Sequence, residues 1–388
     1  MRTYLILITV VVLFVRCKER YDVSLPPSLK GYFVVEGLIN TNGESRINLS
    51  RTTSLDTQSV LFVNNAVVKI EGEDNSSYIL NALDSGKYIS PFLWLNENIR
   101  YRVNIKTNDN REYVSEFVQP IKTPPVDTIT WQYYNNGIEI YVNSKDPANN
   151  TKYYRWEYEE TWQIRSKYEQ IMVTKVTNRP NGGVDVALAF YDSAARRRNE
   201  SVYNCWQSRT SSSIFIGSTD KLSENRVYYP LVYYPRASVE LAVLYSINIK
   251  QYGLTKEGYD FFYKMKKNTE SLGTIFDPMP SEITGNVKCL TDTSEKIIGY
   301  IGASTITEKR AFIDNMDLVD WGYYESCTDS AVGLDPDEIR RHLYPAYNFL
   351  PTTPMYDPRG NLIGSRIANP FCVDCTLKGT NVRPSYWP

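Results

Sequence analysis

From Tyr32 onward, apolar and polar residues alternate with a period of two in short runs, and each run closes on Asn, Asp or Gly. A period of two puts every second side chain on one face of an extended chain, so each run has one face to bury. Strands that each have one apolar face do so by stacking one sheet on another. Arg46-Ile47-Asn48-Leu49-Ser50, Ala66 to Glu71 and Tyr101 to Lys106 alternate in this way, and Thr41-Asn42-Gly43-Glu44 carries an Asn-Gly hairpin turn. About seven such runs fall in roughly 90 residues, the spacing of an immunoglobulin-like β-sandwich. The expected first domain is 30–123, and Pro120, Pro124 and Pro125 mark its end, because proline is stiff and cannot donate to a strand ladder. A second strand series follows, through Thr128 to Trp131, Gly137 to Val142, Tyr153 to Tyr158 and Leu241 to Ile249. Within it the period changes once. Thr255 is a suitable N-cap, and Tyr259, Phe262, Tyr263 and Met265 recur at helical spacing, which predicts one helix over about 255–272 packed by that aromatic stripe. The last stretch, rich in Pro, Tyr and Cys, reads as a long loop-like tail in need of covalent anchoring. The expectation is therefore a mainly β protein of two sandwich-like domains (immunoglobulin- or fibronectin-III-like), the second spanning 124–388 with one inserted helix and a Cys-containing tail.

The first residues give an address. Arg2 precedes an apolar stretch from Tyr4 to Val15, too short to span a membrane but of the length of a signal-peptide core, and Cys17 follows at once. A cysteine in that position resembles a bacterial lipobox, although Arg16 stands where a small residue is usual. The reading is a lipoprotein signal over 1–16, acylation of Cys17 and a tether over 17–29. An extracytoplasmic address permits disulfides, and Cys205, Cys289, Cys327, Cys372 and Cys375 can make two bridges with one thiol left over. Cys372 and Cys375 are expected to tie the tail to the body, with Cys327 as one partner. They have metal-knuckle spacing, but no second such pair exists and His342 is the chain's single histidine, so no metal or other cofactor is expected.

Lys+Arg of 43 against Asp+Glu of 44 leaves a net charge of −1, which argues against nucleic acid as a partner. The G-x-S-x-G, P-loop, dinucleotide and H-E-x-x-H motifs are absent from the sequence. The best acid–base candidate is Glu159/Glu160, between Trp156 and Trp162, where an acid beside aromatic rings could serve a carboxylate-based hydrolase. The alternative expectation is that both tryptophans pack in the core while the acids face water. The sequence carries 31 Tyr against 13 Phe, with adjacent pairs at Tyr133-Tyr134, Tyr153-Tyr154, Tyr228-Tyr229, Tyr233-Tyr234 and Tyr323-Tyr324. On a strand, one member of each pair faces inward and the other outward. Exposed tyrosine suits recognition, so Tyr228, Tyr229, Tyr233 and Tyr234, with Trp156 and Trp162, are the candidate binding residues for a glycan or peptide.

The order of motifs resembles one family. It runs from Cys17 through Val34-Val35-Glu36-Gly37, Tyr153-Tyr154-Arg155-Trp156, Thr161-Trp162 and Gln251-Tyr252-Gly253-Leu254-Thr255 to Gly273-Thr274-Ile275-Phe276-Asp277-Pro278 and Pro280-Ser281. Gly285-Asn286, Ile298-Gly299-Tyr300, Cys372-Val373-Asp374-Cys375 and Tyr386-Trp387 complete it. This is similar to the DUF4249 family of Bacteroidota outer-membrane lipoproteins. The resemblance implies a non-enzymatic, lipid-anchored protein of the outer membrane, at the cell surface, acting as an accessory subunit of a TonB-dependent, SusC-like transporter. A stand-alone adhesin or glycan- or peptide-binding lipoprotein is the alternative. The same bacterial group O-glycosylates short Asp-Ser/Thr-apolar patterns, and Thr128, Ser193 and Ser330 stand in such patterns.

Overall fold

The computed structural model describes residues 31–53, 60–148, 150–180, 182–191, 202–270, 283, 285–344 and 348–388. The expected signal peptide and tether, with Cys17, lie outside these residues, as does Ser193. The protein is mainly β. Two sheets stack at its N-terminal end. One contains strands Phe33–Asn40, Arg46–Arg51 and Lys87–Ile89, and the other contains Val67–Gly72, Tyr101–Lys106 and Glu112–Ser115. The alternating residues meet between them: Phe33, Val35, Ile47 and Leu49 from the first sheet share a core with Val68, Ile70, Val103 and Ile105 from the second.

This first unit is not closed by 30–123 alone. Strands Ile297–Ile298 and Gly302–Ser304 add parallel to Phe33–Asn40, and Val287–Cys289 adds antiparallel to Glu112–Ser115. The boundary expected at 123/124 is thus crossed by a segment arriving from far along the chain. Its motif residues explain how it fits. A Cβ on Gly285 would meet the Gly299 carbonyl oxygen at 1.5 Å, and one on Gly299 would meet that of Val35 at 2.3 Å, so only glycine permits this approach of three backbones. Asn286 fixes the crossing, donating from Nδ2 to the Ile301 carbonyl and accepting from the Ile301 amide, both at 2.8 Å.

The second unit stacks a sheet of Val126–Tyr134, Gly137–Lys145 and Arg226–Pro235 on a longer one built from Asn204–Thr210, Tyr153–Arg165, Leu244–Leu254 and Ile306–Asp314. Ile138, Ile140 and Val142 pack there against Trp156, Tyr245, Ile247 and Ile249. The prolines between the units are pinned rather than free. Buried Gln251 donates to the Pro124 carbonyl at 2.8 Å and accepts from Trp156 Nε1 at 2.8 Å, while the Thr123 amide donates to Thr305 Oγ1 at 2.8 Å.

The helix forms at Lys256–Glu270, and the Gly258 amide donates to Thr255 Oγ1 at 3.1 Å, the cap that the sequence predicts. Its buried face differs from the expected stripe. Gly258 and Phe261 turn inward, with the Phe261 ring 5.7 Å from that of Tyr300, while Tyr263 is exposed. The helix packs over Tyr300, and small Gly258, where a Cβ would come within 2.8 Å of the Tyr300 ring, sets the contact.

The tail is also more regular than expected. Strands Asp329–Gly333, Leu350–Tyr356 and Leu362–Ala368 form a sheet, and helix Pro336–Leu343 packs Ile339 and Leu343 onto Val332, Ile367 and Val186. Val186 comes from the hairpin Met172–Asn178/Val184–Phe190, so a polar-looking segment supplies the apolar partner that lets the tail fold. Asp335 caps that helix by accepting from the Asp337 and Glu338 amides. Among the described residues, Cys205–Cys375 and Cys327–Cys372 form disulfides, and buried Cys289 is the free thiol.

Candidate functional site

Strand Arg226–Pro235 is an edge strand of the second unit, and it divides the predicted tyrosines by face. Tyr228 and Tyr233 point outward and are exposed. Tyr229 is half-buried and its ring stacks on Trp156 at 4.7 Å, while Tyr234 is buried. Tyr228 lies flat on Tyr141, with centroids 4.4 Å apart and planes 6° apart. Trp156 and Trp162 are both buried in the core, so neither offers a platform to a ligand. The binding set read from the sequence is therefore split: two of its tyrosines reach solvent, and the other four residues build the wall behind them.

Glu159 and Glu160 are split the same way, since neighbours on strand Tyr153–Arg165 face opposite sides. Glu159 is half-buried, but Glu160 is fully buried, which corrects the expectation that both acids face water. Glu160 has the same parity as Trp156 and Trp162, so the strand's inward row carries it into the core with them. Burial of a carboxylate requires compensation, and three strands supply it. Arg209 Nε donates to Glu160 Oε1 at 2.6 Å, and the Tyr245 hydroxyl donates to Oε2 at 2.8 Å beside that of Tyr234. The Arg209 guanidinium also lies 5.4 Å from the Trp162 ring centre. Burial opposes the charge of Arg209, but the hydrogen bond and charge of Glu160 outweigh it and hold its pKa above the ordinary range. Burial raises the Tyr245 hydroxyl well above its usual 10.0, with the nearby Tyr234 and Glu160 adding to it. Both Glu160 oxygens thus accept from donors on other strands, an arrangement that holds those strands together.

The facing three-stranded sheet carries a feature that the sequence did not single out. Hairpin strands Val126–Tyr134 and Gly137–Lys145 run past the core, so Tyr133 and Tyr134 are both exposed, unlike the other strand pairs. Together with Arg236, Val319 and Trp321 they line a cleft. The adjacent tyrosines before Asn135-Asn136-Gly137 were the available clue, but Val319 and Trp321 arrive from a distant loop. Thr128 and Ser330 are exposed, each on a strand. His342 is half-buried on helix Pro336–Leu343, its ring 6.5 Å from that of Phe349. Among the described residues no helix is long and apolar enough to cross a membrane, which says nothing of a β-barrel.

Comparison with solved structures finds distant likenesses. A mutant of Salmonella alpha-2-macroglobulin aligns with 89% of this chain and 17% of its own, at 8% identity and a TM-score of 0.17. The chitinase ChiA74 from Bacillus thuringiensis aligns with 56% of this chain and 29% of its own, at 12% identity and a TM-score of 0.16. A carbohydrate-binding protein, so described provisionally, from Bacteroides uniformis aligns with 52% of this chain and 98% of its own, at 8% identity and a TM-score of 0.12. This chain thus spans less than a third of the first two, and likenesses of this size bear no functional argument. No curated protein matches. The family comparison is of another order: the model described as a domain of unknown function, DUF4249, matches residues 18–310, and the chain belongs to that family.

Proposed function

We propose that the protein is a lipid-anchored outer-membrane protein that binds a ligand without transforming it, as an accessory subunit of a TonB-dependent, SusC-like transporter. The observation that carries the binding role is the set of exposed tyrosines, Tyr133, Tyr134, Tyr228 and Tyr233, on a sheet that packs against buried aromatics. Tyrosine gives large contact area at low entropy cost, and a rigid support keeps that cost low. The fully buried Glu160, held by Arg209, Tyr234 and Tyr245, supports a non-catalytic reading, because a general acid needs a proton path to a substrate. The apolar leader ending at Cys17 supports the anchor. Purification of the full-length protein from native membranes is the test. The transporter is expected in stoichiometric amount, and recovery of the protein alone overturns the accessory role. Mass spectrometry of the same material is expected to find acyl groups on Cys17; an unmodified thiol there overturns the anchor.

A further inference from the structure

The tip of the second unit holds a preformed cleft of about 450 Å³, within the range of small-ligand sites. It lies between the Asn135–Asn136 turn and the loop carrying Val319 and Trp321. We infer that this cleft binds a neutral carbohydrate; the inference names a site and a ligand class for the binding role proposed above and rests on it.

Three observations carry the inference. The walls are tied before any ligand arrives. The Val319 amide donates to the Tyr133 hydroxyl oxygen at 2.6 Å, the Arg236 amide to the Asn136 carbonyl at 2.9 Å, and the Ala237 amide to the Trp321 carbonyl at 3.1 Å. The Tyr233 hydroxyl donates to the Asn135 carbonyl at 2.6 Å, so a predicted binding residue here braces the turn. Little ordering remains for a ligand to impose.

The backbone at this rim is also unusual. Asn135, Asn136, Ala237 and Asp320 take φ of 42°, 56°, 65° and 53°, half of the eight non-glycine residues with positive φ among those described. Asparagine and aspartate tolerate this region, but alanine does not, because its Cβ crowds the carbonyl oxygen. Strain of this kind persists where the surrounding structure enforces a shape, and it gathers at ligand sites.

The chemistry on the rim then selects the ligand. Tyr133 and Tyr134 are each about half exposed, at 52% and 49%, and give apolar ring surface to the C–H face of a pyranose. Around them stand the exposed Asn135 and Asn136 and the ion pair of Arg236 Nη2 with Asp320 Oδ2 at 2.8 Å. These side chains are planar and offer both donors and acceptors, the complement of hydroxyl groups that donate and accept. Arg236 and Asp320 cancel in charge, so the cleft has no excess of positive charge for an acidic or phosphorylated group.

The test uses the full-length protein in detergent on three printed arrays: neutral hexose oligosaccharides, uronic-acid oligosaccharides, and peptides. Retention on the neutral glycans is expected. Tyr134→Ala and Arg236→Ala, both at the cleft wall, are expected to weaken it by roughly tenfold or more. Tyr356→Ala, exposed on the tail sheet, should leave it unchanged, and equal thermal midpoints for all variants exclude misfolding. Retention only of acidic glycans or only of peptides overturns the inference, as does no retention at all or undiminished binding by Tyr134→Ala. Co-purification separates the two readings: a transporter recovered with a protein that binds no glycan overturns the cleft and leaves the accessory role standing.

Discussion

Glu295 shows how much one side chain can tie together. It sits in the segment that completes the first unit, with its side chain only 10% exposed, and accepts from Arg51 at 3.0 Å, Arg111 at 2.8 Å and the Tyr113 hydroxyl at 2.9 Å. Burial pushes its pKa up, but the Tyr113 and Arg51 hydrogen bonds and the two arginine charges outweigh burial and leave it below the ordinary 4.5. A carboxyl lowered in the folded state stabilises it above the unfolded pKa, and that stability is lost as pH falls through the folded value. Glu295→Gln is therefore expected to cost about 1–3 kcal/mol near neutral pH, because it removes the anion that half-buried Arg51 and Arg111 share and leaves Arg111 with Asp109 alone. The gap in urea midpoint between wild type and variant should close as pH drops below 4.5; a gap independent of pH refutes the account. At this scale the sequence was partly legible. The interior place of Trp156 and Trp162 followed from the alternating strand, as did the split of Tyr153-Tyr154 into half-buried and buried members. The burial of Glu160 did not, because its compensating donors Arg209, Tyr234 and Tyr245 come from three other strands.

Among the elements, the tail depends most on contacts from elsewhere. Cys375, in the short helical turn Cys375–Leu377, is bonded to Cys205 on strand Asn204–Thr210 across a sequence separation of 170, and Cys327–Cys372 closes a separation of 45. Trp387 completes the attachment: it is buried, 6.2 Å from Trp206 and 5.6 Å from Phe312 between ring centres. A crosslink over a long loop restricts the unfolded chain, so replacing both Cys205 and Cys375 by serine is expected to destabilise the protein by about 2–5 kcal/mol. Chemical unfolding under non-reducing conditions measures this, and an unchanged midpoint refutes it. That the five cysteines among the described residues form two bridges and leave one thiol free was legible from their number. Which thiols pair was not, because the choice depends on which sheets the cysteines end up beside. The tail's own strands were missed for a related reason: Leu350–Tyr356 contains two prolines and reads as loop until Leu362–Ala368 lies alongside it.

At the scale of the whole molecule, the two sandwiches share a chain that crosses between them more than once. Residues 31–123 lack the strands Val287–Cys289, Ile297–Ile298 and Gly302–Ser304 that cover their sheet edges, and they lose Ile301 and Cys289 from the core. Expressed alone, this fragment is expected to show no cooperative urea transition, whereas the full chain does; a sharp transition from the fragment refutes the interleaved architecture. The sequence by itself determined the class of structure and the capped helix, because alternation and capping are set by neighbours a few residues apart, whereas Asn42-Gly43, read as a hairpin turn, pairs instead with Leu93-Trp94. Only the tertiary structure decided where 287–304 belongs, which acid is buried and which tyrosines border a cleft. Those outcomes turn on pairings between strands far apart in the chain, and short apolar runs such as Ile297-Ile298 read alike whichever sheet receives them.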